Sequence, residues 1–439
     1  MVTEAAATRV PLMQQRPFRM LTYSKLLSRV ANNAANFALV LLVVDQTGRA
    51  FMSSLLVLTI VIPSTIAGLA AGVAADRYPK RLLVFTGDLF RAATCLLFAY
   101  LEPSLGWFFP TAFVLASATQ MATSAEAAIL PTIVRREELV AANAIGHAVT
   151  GIAQVLGYGA LAPLALRVLD QPRLLFAICG GLFLVAGFYS LFIGRGREDA
   201  TVREIGGECP DPWWLQGWRA LQRDPRAMRA ALELTLISMA MIVIAGLAPT
   251  YIEEVIGLPV ELGAIALSPA ALGVVAGLRL AGALARRLPP FVLSSVGFAG
   301  FVVFLLGMAF VDAEAEFLAG FGAFSWFGEV RVGRFDGGGV LAMLLAAPLG
   351  FCYALVAVAG QTTLNDLVPV SLQGRVFATQ GALAAVAASV PVLGFGALAD
   401  ATNVVVVLAL LAALIGAAAV VNLRYAGALA RGARVAAVP

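Results

Sequence analysis

The chain has 439 residues, of which 60% are hydrophobic and 13% are charged, and its formal net charge is +4 at pH 7. Soluble globular domains carry about 25% charged residues, so this composition excludes a soluble globular protein. The sequence predicts instead a protein built from segments that cross a membrane.

Apolar runs of membrane length recur from one end of the chain to the other. Each is about 20 residues long, which is enough for a helix to cross the hydrocarbon core. Continuous apolar runs are typical of helices, whereas the strands of membrane barrels alternate apolar and polar residues. We therefore predict an all-α polytopic membrane protein with twelve transmembrane helices, at about residues 20–44, 52–75, 82–101, 107–130, 139–163, 173–194, 229–250, 261–285, 290–311, 339–364, 375–399 and 404–424.

Lysine and arginine are distributed unevenly between the two sides of the predicted bundle. With the N-terminus in the cytoplasm, most of the 30 basic residues, Lys25 and Arg29 included, fall on the cytoplasmic side or at its helix ends. This asymmetry predicts that both termini are cytoplasmic, in a cell membrane of the bacterial inner-membrane type. No cleavable signal peptide is expected, because residues 1–17 are polar and the first apolar run is too long.

The first span carries an unusual group of amides, Asn32, Asn33 and Asn36. Asn32 and Asn36 are one helical turn apart, so they share a face of the helix. An amide in hydrocarbon costs free energy unless it is paired, so this face is expected to look at protein or water. Amides that join helices by hydrogen bonds are one interpretation. We favour the other, in which they line a cavity and contact a substrate.

The hairpin between the second and third spans carries the most specific motif. Its pattern is G-x-x-x-D-R-x-x-K-R, formed by Gly72, Asp76, Arg77, Lys80 and Arg81. This pattern resembles the loop between the second and third helices of the major facilitator superfamily. The sequence D-L-F-R-A at 88–92 is similar to the enterobactin-exporter and macrolide-efflux branch. The resemblance implies two six-helix bundles around a central cavity, lined by the first, fourth, seventh and tenth spans.

The resemblance also implies a role for Asp76 as a latch on the cytoplasmic side. The carboxylate would dock on the N-terminus of the eleventh span, near Gly374 and Arg375, where free N–H groups and the helix dipole favour an anion. Such a contact would hold the cytoplasmic side closed. We interpret Lys80 and Arg81 as topology determinants rather than contacts.

Asp88 and Arg91 lie three residues apart on one face of the third span, close enough to pair. An unpaired charge is costly inside the membrane, so an ion pair is expected, either with each other or with Asp76 and Arg77. A static brace and a moving charge relay both fit this pattern.

Acidic and amide residues in later spans are further candidates. Glu126 in the fourth span and Glu233 in the seventh are candidates for proton or cation coupling. Relatives often carry a basic residue where Glu126 stands, and an ion pair with a neighbouring arginine is the alternative. Gln154 in the fifth span and Gln361 in the tenth are candidate cavity residues. A place in the headgroup region is the alternative for both Glu233 and Gln361.

No chemical motif accompanies these residues. The single histidine, His147, is interpreted as a packing residue, and the four cysteines show no paired spacing. No nucleophile–base pair, metal cluster or phosphate-binding loop is found, so we predict no enzyme activity, catalytic residue, metal or cofactor. In the fifth span, Tyr158 follows Gly157 where efflux relatives usually have proline, so the pattern associated with antiport is incomplete.

The chain divides at a long central connection. We predict an N-terminal six-helix bundle over 1–194, a cytoplasmic linker over 195–228 and a C-terminal six-helix bundle over 229–439. The two halves of the chain share sequence patterns, which indicates that the two bundles are parallel repeats. Tryptophan and leucine recur at helical spacing from Trp213, which predicts a short helix lying on the membrane. An aromatic outer-loop insertion at 312–338 either rests in the headgroup region or caps a cavity.

These features predict a secondary active transporter that exports a small amphipathic molecule, a drug-like compound or siderophore, by alternating access. Proton coupling is a hypothesis. The alternatives are an uptake permease, a lipid translocator, and a transport-inactive membrane receptor or scaffold. The expected partners are membrane lipid and a small-molecule substrate, with a monomeric chain and no nucleic acid.

Overall fold

The computed structural model of the protein describes residues 11–101, 104–135, 138–169, 171–193, 213–257, 263–284, 287–319 and 337–436. The linker residues 194–212 and residues 320–336, which make up most of the predicted outer insertion, lie outside the described residues. So do the side chains of Asp76, Arg77 and His147 and the surroundings of Gly72.

Six long helices form the first half of the chain. They are α1 (Arg16–Thr47), α2 (Ala50–Arg77), α3 (Lys80–Tyr100), α4 (Leu105–Ile133), α5 (Leu139–Leu156) and α6 (Pro172–Leu191). After α5 the chain continues in two π-helical turns, Gly157–Leu161 and Leu164–Val168. Such widened turns are rare in proteins and often lie at functional sites.

The second half contains six long helices and two short ones. They are α7 (Trp213–Arg223), α8 (Pro225–Glu254), α9 (Gly263–Leu284), α10 (Pro290–Ala309), α11 (Val311–Ala319), α12 (Gly337–Leu367), α13 (Val370–Ala401) and α14 (Val404–Ala436). The short helices are α7, in the central connection, and α11.

Length and composition allow these helices to cross a membrane. Within the described ranges, nine helices are long and apolar enough to do so. Two more, α2 and α9, contain shorter apolar stretches, Ala50–Pro63 and Ser268–Ala281. With the 29-residue α4, the described chain has twelve long helices. The predicted all-α, twelve-helix polytopic membrane fold is confirmed.

The first of two compact units consists of residues 1–42 and 59–208. In it α3 packs against both α4 and α6. Aromatic rings fill the contact: the ring centroids of Phe98 and Phe176 are 4.2 Å apart, and Phe108 lies 5.8 Å from Phe98. All three side chains are buried, so one face of α3 packs inside this unit.

The second unit consists of residues 43–58 and 209–439. Its helices α9 and α12 approach each other closely at two glycines. A β-carbon at Gly273 or Gly350 would collide with a main-chain carbonyl of the opposite helix. Small residues at helix contacts are typical of membrane bundles, where van der Waals packing holds helices together.

The end of α1 and the start of α2 belong to this second unit. The carboxylate of Asp400, near the end of α13, accepts hydrogen bonds from the backbone N–H groups of Ala50 at 2.7 Å and Phe51 at 3.2 Å. The hydroxyl of Ser53 donates to the carbonyl oxygen of Gly246 in α8 at 2.8 Å. Asp400 thus caps the N-terminus of α2, where backbone N–H groups lack partners within the helix.

Helix α7 packs against α13 and α8. Gly217 makes the approach possible, since a β-carbon there would collide with Thr379 and with the carbonyl oxygen of Arg375. The guanidinium of Arg375 also donates to the amide oxygen of Gln216, and Leu221 is fully buried. Packing on the protein therefore holds this helix. Its contact with the membrane surface stays a prediction.

Candidate functional site

A cavity of about 150 Å³ lies among α1, α4 and α5 in the first unit. Residues of α1 reach it because they recur every three or four positions and so share one face of the helix. The polar lining residues are Thr22, Lys25, Arg29, Thr123 and Glu126. The nonpolar ones are Phe18, Leu21, Leu130, Ala142, Gly146 and Val149. The cavity is therefore apolar with a compact group of charges.

Arg29 and Glu126 face each other across this cavity. The Nη2 atom of Arg29 donates to the hydroxyl of Thr123 at 3.0 Å and lies 3.8 Å from the Oε2 atom of Glu126. The Glu126 side chain is only 7% exposed, and its Oε2 atom has no hydrogen-bond partner among the described residues. The ion pair is therefore a loose one, with an acceptor atom left over.

Lys25 lies one turn before Arg29 on the same face of α1. Its amine points towards α5, where it would lie 3.3 Å from a β-carbon placed on Gly146. In the part of the chain that the structure describes, no carboxylate oxygen lies within 4.0 Å of the Lys25 amine, although Glu126 attracts it over a longer distance. The described lining thus carries two cations and one acid, so its net charge is positive.

The three asparagines of α1 occupy different surroundings. The Oδ1 atom of Asn32 accepts a 2.7 Å hydrogen bond from Thr119, which joins α1 to α4. The Nδ2 atom of Asn33 and the Oδ1 atom of Asn36 are buried without a hydrogen-bond partner among the described residues. None of the three is among the described lining residues of the cavity.

The structure brings Asp88 and Arg91 together at the centre of the first unit. The Arg91 guanidinium donates to Asp88, and the hydroxyl of Ser28 in α1 donates to the same carboxylate at 3.1 Å. Arg91 also lies over the ring of Phe183, 4.7 Å from its centroid. Both charged side chains are buried, at 0% and 1% exposure. This arrangement ties α3 to α1 and α6.

The remaining predicted residues are not gathered at one place. Glu233 is buried in α8, where it accepts a 3.0 Å hydrogen bond from Arg229 one turn earlier. Gln154 and Gln361 are exposed. The 72–81 motif spans the turn from α2, which ends at Arg77, to α3, which begins at Lys80.

Sequence reasoning missed the role of Lys25 and Arg29, because both were counted as charges that set membrane topology. A signal was present: the two cations are four residues apart, in register with Phe18 and Thr22 on one face. Their meeting with Glu126 depends on how α1 packs on α4, which spacing within one helix does not reveal.

The described residues show no sign of a metal centre, since no group of three or more metal-ligating side chains occurs among them. Cys95, Cys179 and Cys352 are free thiols buried in separate helices. What the site offers chemically is a set of charges and hydrogen-bond donors inside a membrane-spanning bundle.

Two crystal structures share this architecture. The nucleoside transporter NupG superposes with a TM-score of 0.74 at 11% sequence identity, covering 93% of this chain and 99% of that chain. A POT family transporter in complex with a thioalcohol-conjugated peptide superposes with a TM-score of 0.70 at 10% identity, covering 94% and 96%. At such identities the likeness shows the fold alone.

The sequence itself places the chain in a family. No curated protein matches it. The profile of the Major Facilitator Superfamily matches residues 21–332, which is well over half of the chain. The protein therefore belongs to the Major Facilitator Superfamily and is a multi-pass membrane transporter, not an enzyme.

Proposed function

We propose that the protein is a secondary active exporter of small amphipathic molecules, working by alternating access in a cell membrane with both termini in the cytoplasm. The observation that carries the proposal is the charged cavity among α1, α4 and α5. Ionisable side chains inside a membrane bundle are costly and mark ligand or ion pathways. A transport-inactive scaffold gains nothing from such a cavity.

The motif at 72–81 supports the same proposal. Its resemblance to the loop between the second and third helices of the superfamily gives the acidic residue, Asp76, a proposed part in the conformational cycle. The D-L-F-R-A sequence at 88–92 carries the resemblance to the efflux branch. Lys80 and Arg81 keep their proposed part in topology. The distribution of basic residues supports the placement of both termini in the cytoplasm.

We propose exchange with protons as the driving force, with Glu126 and Glu233 as the carriers. Each is buried beside an arginine, so protonation of the acid would break the ion pair and release that arginine. Asn32, Asn33, Asn36, Gln154 and Gln361 are proposed as polar contacts along the substrate's path.

A dye-efflux assay tests the proposed function. Cells that express the protein are loaded with an anionic, a neutral or a cationic fluorescent amphiphile, and dye loss is followed over time. Faster loss of at least one dye than in empty-vector cells is expected. An Asp76→Asn variant at equal surface expression should lose this advantage, whereas Asp366→Asn, an exposed acid at the end of α12, should keep it.

Two results would contradict the proposal. Faster loading instead of faster loss would make the protein an uptake permease. If all three dyes are lost at the same rate as from empty-vector cells, with the protein present at the surface, export of amphiphiles is ruled out.

A further inference from the structure

The cavity in the first unit carries an unbalanced charge. Lys25 and Arg29 lie one helical turn apart, a spacing at which like charges destabilise a helix. Glu126 neutralises one of them through its contact with Arg29. Glu126 also attracts the second cation, Lys25, but one carboxylate cannot balance two charges, and no other acid is found in the described lining of the cavity.

The excess positive charge is costly because the two cations lie well inside the predicted membrane span. Lys25 is five residues and Arg29 nine residues past the start of the predicted span 20–44, which is about 8 and 14 Å along the helix axis. Two cations and one acid at this depth leave a positive charge in surroundings where charges are expensive unless paired. A bound anion would supply the missing partner.

The geometry around the two cations suits a small anionic group. Arg29 already donates to Thr123, and Thr22, whose hydroxyl donates to the carbonyl oxygen of Phe18, also lines the cavity. The volume of about 150 Å³ equals that of about five water molecules, enough for one charged group and a few methylene groups. The nonpolar side chains, Phe18 and Leu130 among them, would contact the methylene groups.

We propose that the transported substrates are amphiphilic monoanions, whose charged group binds between Lys25 and Arg29. This inference rests on the proposed transport function and names the substrate class of the same protein. The acid has the opposite effect to the cations: Glu126 repels the bound anion and competes for Arg29. Removing a cation should therefore weaken binding of an anion, and removing the acid should strengthen it.

The test compares three ligands with the same six-carbon chain: hexanesulfonate, which is always anionic, neutral hexanesulfonamide, and cationic hexylamine. Binding to purified protein is read from the rise in the unfolding midpoint with ligand concentration. A thiol-reactive dye reports unfolding through the buried Cys95, Cys179 and Cys352. The wild type should prefer hexanesulfonate over both analogues.

Matched variants identify the side chains that cause the preference for the anion. Lys25→Gln should lower the preference for hexanesulfonate over hexanesulfonamide by about tenfold, as expected for one charge removed from a partly wet site. Lys25→Arg should keep it, and Glu126→Gln should increase it. Arg279→Gln removes the same charge from an exposed position on α9 in the other unit and should leave the preference unchanged.

Several results would overturn the proposal. A preference for hexylamine, or an unchanged preference in both Lys25→Gln and Glu126→Gln, would show that the cavity does not select anions. If Lys25→Gln does not fold, the Glu126→Gln variant decides alone. Lys25-dependent stabilisation by phosphatidylglycerol but not by hexanesulfonate would assign the site to a lipid headgroup and remove the substrate claim.

The two proposals fail in different ways. Export of neutral or cationic dyes without binding of hexanesulfonate would reject the anionic substrate class and keep the transporter function. Charge-selective binding of hexanesulfonate without transport of any amphiphile would keep the binding site and reject export.

Discussion

The carboxylate of Asp400 accepts a 2.7 Å hydrogen bond from the backbone N–H of Ala50, although 350 positions separate them in the chain. A second bond, from Phe51, uses the other carboxylate oxygen. One side chain near the end of α13 therefore caps the start of α2. The bonds are charge-assisted, and the helix dipole adds to them.

Removing this cap should destabilise the protein. Asp400→Ala leaves two backbone donors without their partner and should lower the free energy of unfolding by about 1–2 kcal/mol. Thermal unfolding of the purified protein measures the loss. Asp366→Ala, which removes an exposed acid from α12, should change the midpoint little. Equal effects of the two variants would show that the cap contributes nothing.

Breaking the buried ion pair in α3 should be more damaging. Arg91→Met leaves the Asp88 carboxylate fully buried without its cation, and such losses cost about 3–5 kcal/mol. Asp88→Asn should also destabilise. The double variant should lose less than the sum of the two, because neither charge is then left alone. Simple additivity in this double-mutant cycle would rule out coupling between the two side chains.

Packing between α1 and the π-helical turn after α5 depends on Gly157. A β-carbon there would lie 2.7 Å from that of Asn33 and 2.8 Å from the carbonyl oxygen of Val30, so backbone must move. Gly157→Ala should therefore destabilise by about 1–3 kcal/mol, the cost of overpacking. Gly159→Ala, with nothing within 4 Å, is the control. If both tolerate alanine equally, the close approach is not tight.

Attachment of α7 to α13 depends on Gly217, where any β-carbon would collide with Thr379. Gly217→Val should release the helix and increase the rate of trypsin cleavage at Arg219 and Arg223. The same substitution at Gly381 on α13, where nothing lies within 4 Å, should leave cleavage unchanged. An unchanged rate in Gly217→Val would mean that α7 is held by other contacts.

Proton exchange predicts that transport depends on a pH gradient. Inside-out vesicles with an acidic interior should accumulate a transported amphiphile, and collapse of the gradient with a protonophore should stop this accumulation. Glu126→Gln should retain downhill transport but lose the response to the gradient. Accumulation that persists after collapse would point to another driving force.

The sequence predicted those features that depend on local pattern. Twelve helices follow from apolar length alone, and the meeting of Asp88 with Arg91 follows from their spacing of three on one helix. The family followed from the motif at 72–81, and the matching family profile confirms it.

Features that depend on packing between helices could not be predicted from the sequence. Asp400 and Ala50 are joined only in three dimensions, so no local pattern connects them. Lys25 and Arg29 look the same in sequence whether they set topology or line a cavity. Only the position of α4, which brings Glu126 beside Arg29, distinguishes the two roles.

Transport of radiolabelled hexanesulfonate into proteoliposomes tests the central claim most directly, because this permanent anion crosses lipid slowly by itself. The wild type should take it up faster than protein-free liposomes, and Lys25→Gln should reduce the protein-dependent rate by about tenfold. Uptake no faster than in protein-free liposomes, or equal rates for Lys25→Gln and the wild type, would contradict the account.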